Sequence, residues 1–108
     1  MNSVILIGRL VRQPELRITQ NGTSVTTVTV AVDRRRSADK EKEADFVDVV
    51  IWGKMAEATC EYMDKGLKVA VRGRLESRIW EAQEGQRRKA WEVVADEIEF
   101  LEWRDRDV

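Results

Sequence analysis

Residues 46–80 read FVDVVIWGKMAEATCEYMDKGLKVAVRGRLESRIW, and this run decides the fold. Phe46 to Trp52 is β-branched and aromatic, the composition of a strand. Gly53 breaks it. From Lys54 to Lys65, the residues Met55, Ala58, Thr59, Tyr62 and Met63 fall at helical spacing on one face. Gly66 then stands where a C′ glycine closes a helix. Leu67 to Trp80 reads as a long strand, with Val69, Val71, Gly73 and Leu75 on one face. Lys68, Ala70, Arg72, Arg74 and Glu76 take the other.

Working toward the N-terminus, Thr23 to Val32 alternates Val28, Val30 and Val32 with Thr27, Thr29 and Ala31, a half-buried strand. Asn21-Gly22 before it suits a turn with positive φ. Pro14 removes a backbone donor, so Arg12 to Ile18 reads as an edge or an irregular extension. Val4 to Ile7 opens the chain as a strand, and Gly8 within it suggests a bulge or bend. Residues 33–45, DRRRSADKEKEAD, hold no large apolar side chain and read as a long exposed hairpin loop, mobile when nothing is bound. Past Trp80, Gln83 to Gln86 forms a hairpin tip and Ala90 to Leu101 a last strand. Three strands, a helix and two strands describe an all-β, five-stranded OB-fold barrel with one α-helix between strands three and four. No repeat or linker interrupts it, so residues 1–108 read as one domain.

Composition narrows the chemistry. At 108 residues and 43% apolar, the chain has enough material for one small core. It has no histidine, so Ser–His and Cys–His nucleophile pairs are unavailable. Cys60 is the one cysteine, which rules out an internal disulfide and points to a reducing, intracellular setting. No metal site, no cofactor and no enzymatic activity are expected. The opening MNSVILIGRL lacks a basic leader region, and no apolar run is long enough to span a bilayer. Net charge is −1, yet residues 92–108 hold seven acids and two arginines, whereas residues 1–91 hold seventeen bases and thirteen acids. A nearly neutral chain of this kind can still grip phosphate if its bases share one groove.

A protein that holds unpaired strands without reading sequence needs flat aromatic faces and cations along the backbone path. Phe46 and Trp52 are six apart and share a strand face with Asp48 and Val50, an awkward mixture for a core and a better one for a binding surface. Trp80 ends a strand at a charged hairpin, where a core tryptophan would be poorly covered. The plainer reading is that these rings cap the barrel. Trp91 and Trp103 read at least as well as core residues or subunit contacts as they do as stacking platforms. Candidate cations are the triplet Arg34, Arg35 and Arg36, then Lys54, then Arg72, Arg74 and Arg78 alternating along one strand face. Arg87, Arg88 and Lys89 lie across the hairpin and extend that stripe. The competing reading pairs these bases with Glu76, Glu81 and Glu84 as ordinary surface salt bridges.

The stretches NSVILIGRLVRQPELR, NGTSVTTVTVAVDR, ADFVDVVIWGKMAE, EYMDKGLKVAVRGRLESRIW and EVVADEIEFLE, in that order and spacing, resemble the bacterial single-stranded DNA-binding proteins over nearly the whole chain. The resemblance implies binding of single-stranded DNA with little sequence preference, and a homotetramer in which the strand starting at Asn2 joins a subunit interface. The family's stacking aromatics fall on Phe46, Trp52 and Trp80, and Lys54, Arg74 and Arg78 occupy the same surface. Three positions depart from common family residues: Arg36 for a stacking tryptophan, Ser3 for a lysine and Asp48 for an arginine. Arg36 can still stack its guanidinium plane and pair with phosphate, and the three together imply somewhat weaker binding or a shifted path. Many relatives continue into a glycine- and proline-rich tail with an acidic tip that recruits replication and repair proteins. Residues 103–108 read WRDRDV, so recruitment of that kind is expected to be absent or replaced. Two other readings are an OB-fold replication accessory that bridges proteins, and a binder of single-stranded RNA.

Overall fold

The computed structural model describes residues 1–34 and 43–104. In chain order its elements are β1 (Val4–Leu10), β2 (Arg17–Ile18), β3 (Ser24–Asp33), β4 (Ala44–Trp52), α1 (Gly53–Tyr62), β5 (Lys68–Glu81), a 3₁₀ turn at Gln83–Gly85 and β6 (Arg87–Phe100). The sheet order β1-β5-β6-β4-β3-β2, with a further β1–β3 pairing, closes five strands into a ring and leaves β2 outside it. This is the expected OB-fold barrel. The two-residue β2, paired with Ser24 and Val25, is the edge extension foreseen after Pro14. Because it counts as a strand, the helix follows the fourth strand in chain order and not the third.

Alternation builds the core. Val28, Val30, Val49, Ile51, Val69, Val71 and Val93 point inward and pack with Leu10, Ala56, Met63 and Ala95. Helix α1 lies against β3 and β4. It buries Ala56 and Thr59, and the Thr59 hydroxyl donates to the Met55 carbonyl at 2.7 Å. The helix stops at Tyr62, short of the expected Lys65. Met63 takes an extended backbone so that its side chain can enter the core. Gly66 therefore lies beyond the helix, in the turn to β5, where its N–H donates to the Leu10 carbonyl at 2.8 Å.

Two glycines let the backbones cross closely enough for closure. Gly8 keeps regular register opposite Val69, so it marks a bend and not a bulge. A Cβ there would overlap the Ala31 carbonyl, just where β1 begins to pair with β3 at Arg9 and Leu10. The bulge is instead between Arg72 and Gly73 of β5, which face Glu97 and Ala95 and leave Asp96 extra on β6. A Cβ at Gly73 would overlap the Val94 carbonyl.

Beyond this bulge β5 turns exposed from Arg74 to Glu81. β1 pairs no farther along it than Gly73, so β5 and β6 continue as a free two-stranded arm. The expected hairpin tip forms its end, closed by the Ala82 N–H donating to the Gln86 carbonyl at 2.7 Å. At its root, the Asn2 amide group donates to the Leu75 carbonyl at 2.9 Å and accepts from the Leu75 N–H at 2.8 Å.

Candidate nucleic-acid interface

On β4 the inward residues are Val47, Val49 and Ile51, so Phe46, Asp48, Val50 and Trp52 face out. Directly paired residues share a sheet face. The antiparallel register sets Thr27 beside Val50, Thr29 beside Asp48 and Ala31 beside Phe46. Across the other edge, β4 pairs in parallel with β6, Val49 with Val93 and Val50 with Val94. From Val94 the same outer face runs through Glu92, Ala90 and Arg88, which stand opposite Glu76, Arg78 and Trp80. One surface thus carries Phe46, Trp52 and Trp80, 68%, 43% and 41% exposed. The core-capping reading fails for all three.

A groove joins the two halves. Arg17, Thr19, Val25, Thr27, Asp48, Val50, Trp52, Arg78 and Glu92 line it. The Arg78 guanidinium lies over the Trp80 ring, 4.9 Å from its centroid, which fixes a cation beside a stacking face. Arg78 also approaches Glu92 at 3.6 Å. Asp48 accepts from the Thr29 hydroxyl at 2.8 Å and leaves a carboxylate on the path between Phe46 and Trp52. Arg17 was not singled out by sequence reasoning, because Pro14 obscured the parity of its strand. Its spacing back from Thr19 across the Asn21-Gly22 turn is the signal that places it here.

The remaining candidates divide. Arg34 is held by Asp45 and Glu43 at 2.9 and 3.1 Å, and its carboxylate partners raise its pKa, the Asp45 hydrogen bond foremost. Arg35 and Arg36 lie outside the described residues, as does most of the expected mobile loop. Lys54 is exposed in the first turn of α1, two residues past Trp52. Arg74 is bound by Glu76 at 2.7 Å and Asp96 at 2.9 Å. Arg72 pairs with Glu97 at 3.0 Å and lines a separate hollow with Ile5, Ala70 and Glu99. The salt-bridge reading therefore holds for Arg72, Arg74 and Arg78, with partners other than those expected except Glu76. The triplet Arg87, Arg88 and Lys89 does not extend the stripe as a unit. Arg88 faces Trp80, whereas Arg87 and Lys89 pair with Glu81 and Ile79 on the reverse side of the arm. Strand alternation forces this split.

Trp103 packs edge-on against Tyr62 and Phe100, with centroids 5.6 and 5.3 Å apart, and so belongs to a separate aromatic cluster. Cys60 is half-buried in α1, and burial pushes its thiol pKa up, the opposite of what a nucleophile needs. Among the described residues no cluster of carboxylates and cysteine could hold a metal ion, and no helix is long and apolar enough to cross a membrane. The surface can stack planar groups and hold anions beside them.

A family model described as the single-strand binding protein family matches residues 1–101. The chain belongs to that family. It is 54% identical over 107 residues to the single-stranded DNA-binding protein of Clostridium tetani, covering 98% of this chain and 74% of the relative. Single-stranded DNA-binding protein 3 of Clostridium acetobutylicum is 50% identical, over 95% of this chain and 72% of its own length. Single-stranded DNA-binding protein 1 of Staphylococcus aureus is 47% identical, over 99% and 69%.

Proposed function

We propose that the chain binds and protects single-stranded DNA in replication, recombination or repair, without sequence preference and without catalysing a reaction. Family membership supports the class of ligand. The observation that carries the site is the union of Phe46, Trp52 and Trp80 on one outer face beside Arg78, Arg17 and Arg88. Bases stack on the rings, and every base has a π-face, so sequence matters little. The cations meet the phosphates. Lys54 and Arg74 flank this path. Arg34 would contribute by exchanging Asp45 and Glu43 for phosphate, and Arg35 and Arg36, outside the described residues, are added contacts on their charge alone. Arg72, Arg87 and Lys89 are more remote contacts.

The protein works as a homotetramer in the cytoplasm. Two features of β1 support self-association. Ile5 and Ile7 are 71% and 54% exposed on its outer face. Its edge from Val4 to Gly8, away from β5, pairs with no described strand, and such an edge is a template for another strand. Light scattering tests this: a mass of four chains is expected, and a monomer contradicts it.

The test of function is a fluorescence titration with oligo(dT) and with duplex DNA at two salt concentrations. Quenching by the single strand alone is expected, weaker at high salt, because each neutralised phosphate contributes a slope near −0.7 in log K against log salt. Equal response to the duplex, or none to either, contradicts the proposal.

A further inference from the structure

Inside the barrel, the odd-numbered face of β5 and the matching face of β6 form core, through Val69, Val71 and Val93. Past the bulge and the β4 pairing at Val93 and Val94, no described strand covers that face, yet it remains apolar. Leu75, Ile79 and Trp91 are 42%, 58% and 57% exposed. Three large apolar side chains on one two-stranded ribbon mark a binding surface. Its polar residues identify the occupant. The Lys89 ammonium sits over the Trp91 ring at 4.9 Å. The register puts Trp91 opposite Ser77, Lys89 opposite Ile79 and Arg87 opposite Glu81. The front of the arm has the same construction, with Arg78 over Trp80 at 4.9 Å and Arg88 opposite that ring. An indole with a cation on its face and a second cation on the same face occurs on both sides of one ribbon: Arg88 stands across from Trp80 on the front, and Arg87 stands two residues beyond Lys89 on the reverse.

We propose that the reverse face of the arm is a second stacking site for single-stranded DNA, with Trp91 as the platform and Lys89 and Arg87 as phosphate contacts. This rests on the front face binding a single strand. Strand axes in a ribbon lie about 5 Å apart, so a flexible strand leaving Trp80 passes around the arm and meets Trp91 on the other side. The arm then acts as a post around which the strand turns. Leu75 and Ile79 shield the stacked base from water.

The test compares Trp91→Ala with the unaltered chain on oligo(dT) of about 8 and about 16 nucleotides, the middle and top of the range that one OB fold occupies. Losing one stacked base costs about 5-fold or more in affinity. A loss of that size on the longer oligonucleotide, larger than on the shorter one and largely restored by Trp91→Phe, is expected. In a variant with Trp52, Trp80 and Trp103 replaced by phenylalanine, the remaining Trp91 should be quenched more by the longer oligonucleotide. Equal affinities of Trp91→Ala and the unaltered chain at both lengths, with Trp91 unquenched, overturn the proposal. So does a fall in mass of DNA-free Trp91→Ala by light scattering, which makes the face a contact between copies of the chain. Failure of the unaltered chain to bind either oligonucleotide overturns instead the reading of the front face.

Discussion

Val50 and Val94 stand directly opposite each other in the short parallel pairing of β4 with β6, each almost fully covered on the outer face of the barrel. This seam joins the strand bearing Phe46 and Trp52 to the arm bearing Trp80. Their inward neighbours, Val49 and Val93, are core, so the seam fixes the floor of the groove and the barrel interior together. A strand laid along the groove crosses it.

Trp52 and Trp80 should act on binding and not on folding, because their rings project from the barrel. Replacing either with alanine is expected to weaken binding of oligo(dT) by roughly 1–3 kcal/mol, while the thermal midpoint of the free protein stays within a few degrees, about the shift of a sub-kcal/mol surface change. Isothermal titration and a melting curve on the same samples separate the two effects.

Arg78 is shared between the Trp80 ring and the Glu92 carboxylate, 3.6 Å away. A phosphate must compete with that carboxylate. Glu92→Gln should therefore tighten binding, by up to about 5-fold if this partly exposed pair is worth up to about 1 kcal/mol. Arg78→Ala should loosen it and reduce the salt slope by about 0.7. Titrations over a salt series read both; weaker binding by Glu92→Gln would count against this competition.

Gly8 is enclosed by the backbone of β3, which cannot yield as a side chain can. Gly8→Ala forces β1 away from Ala31 at the closure of the barrel, and about 1–3 kcal/mol of stability should be lost, as for overpacking elsewhere. Urea denaturation measures it. A neutral result would mean that the two strands separate without cost.

The ring is fastened at a second point, where Arg9 Nη1 donates to Glu102 at 2.7 Å and to the Gly66 carbonyl at 2.8 Å. The Arg9 hydrogen bond is the main cause that lowers the Glu102 pKa. A lowered carboxyl pKa stabilises the fold above the ordinary glutamate range and loses that contribution as pH falls through the folded value. Glu102→Gln should therefore be less stable than the unaltered chain at neutral pH, with the gap closing below about pH 4.3. Denaturant midpoints across pH 3–7, roughly the span in which carboxylates titrate, give the comparison.

Much of this was legible in the sequence because alternation is a local signal. Val28, Val30 and Val32 against Thr27, Thr29 and Ala31 fixed which face of β3 is buried, and the spacing of Phe46 and Trp52 put both on the outer face. Other features depend on contacts between distant strands. The Asp96 bulge is set by how β5 and β6 close the ring, and no residue near it announces the change of register. The end of α1 was misplaced because Met63, helical by spacing, is drawn by the core into extended backbone. Arg87, Arg88 and Lys89 looked like one basic cluster in one dimension, although period-two alternation divides them between two faces. Partners across the sheet, such as Glu92 for Arg78 and Asp96 for Arg74, follow only from the register.

The proposed single-strand site requires the rings on β4 and on the arm to form one stacking surface across the Val50–Val94 seam. Its most direct test uses three variants, each retaining a single tryptophan at position 52, 80 or 103 and carrying phenylalanine at the others. Each is titrated with the same oligo(dT), at about 16 nucleotides the upper range for one OB fold. Quenching of Trp52 and Trp80 at the same DNA concentration, with Trp103 unchanged, is the expected result. Quenching of Trp103 alone, or of Trp52 and Trp80 at widely separated concentrations, would contradict a single continuous surface.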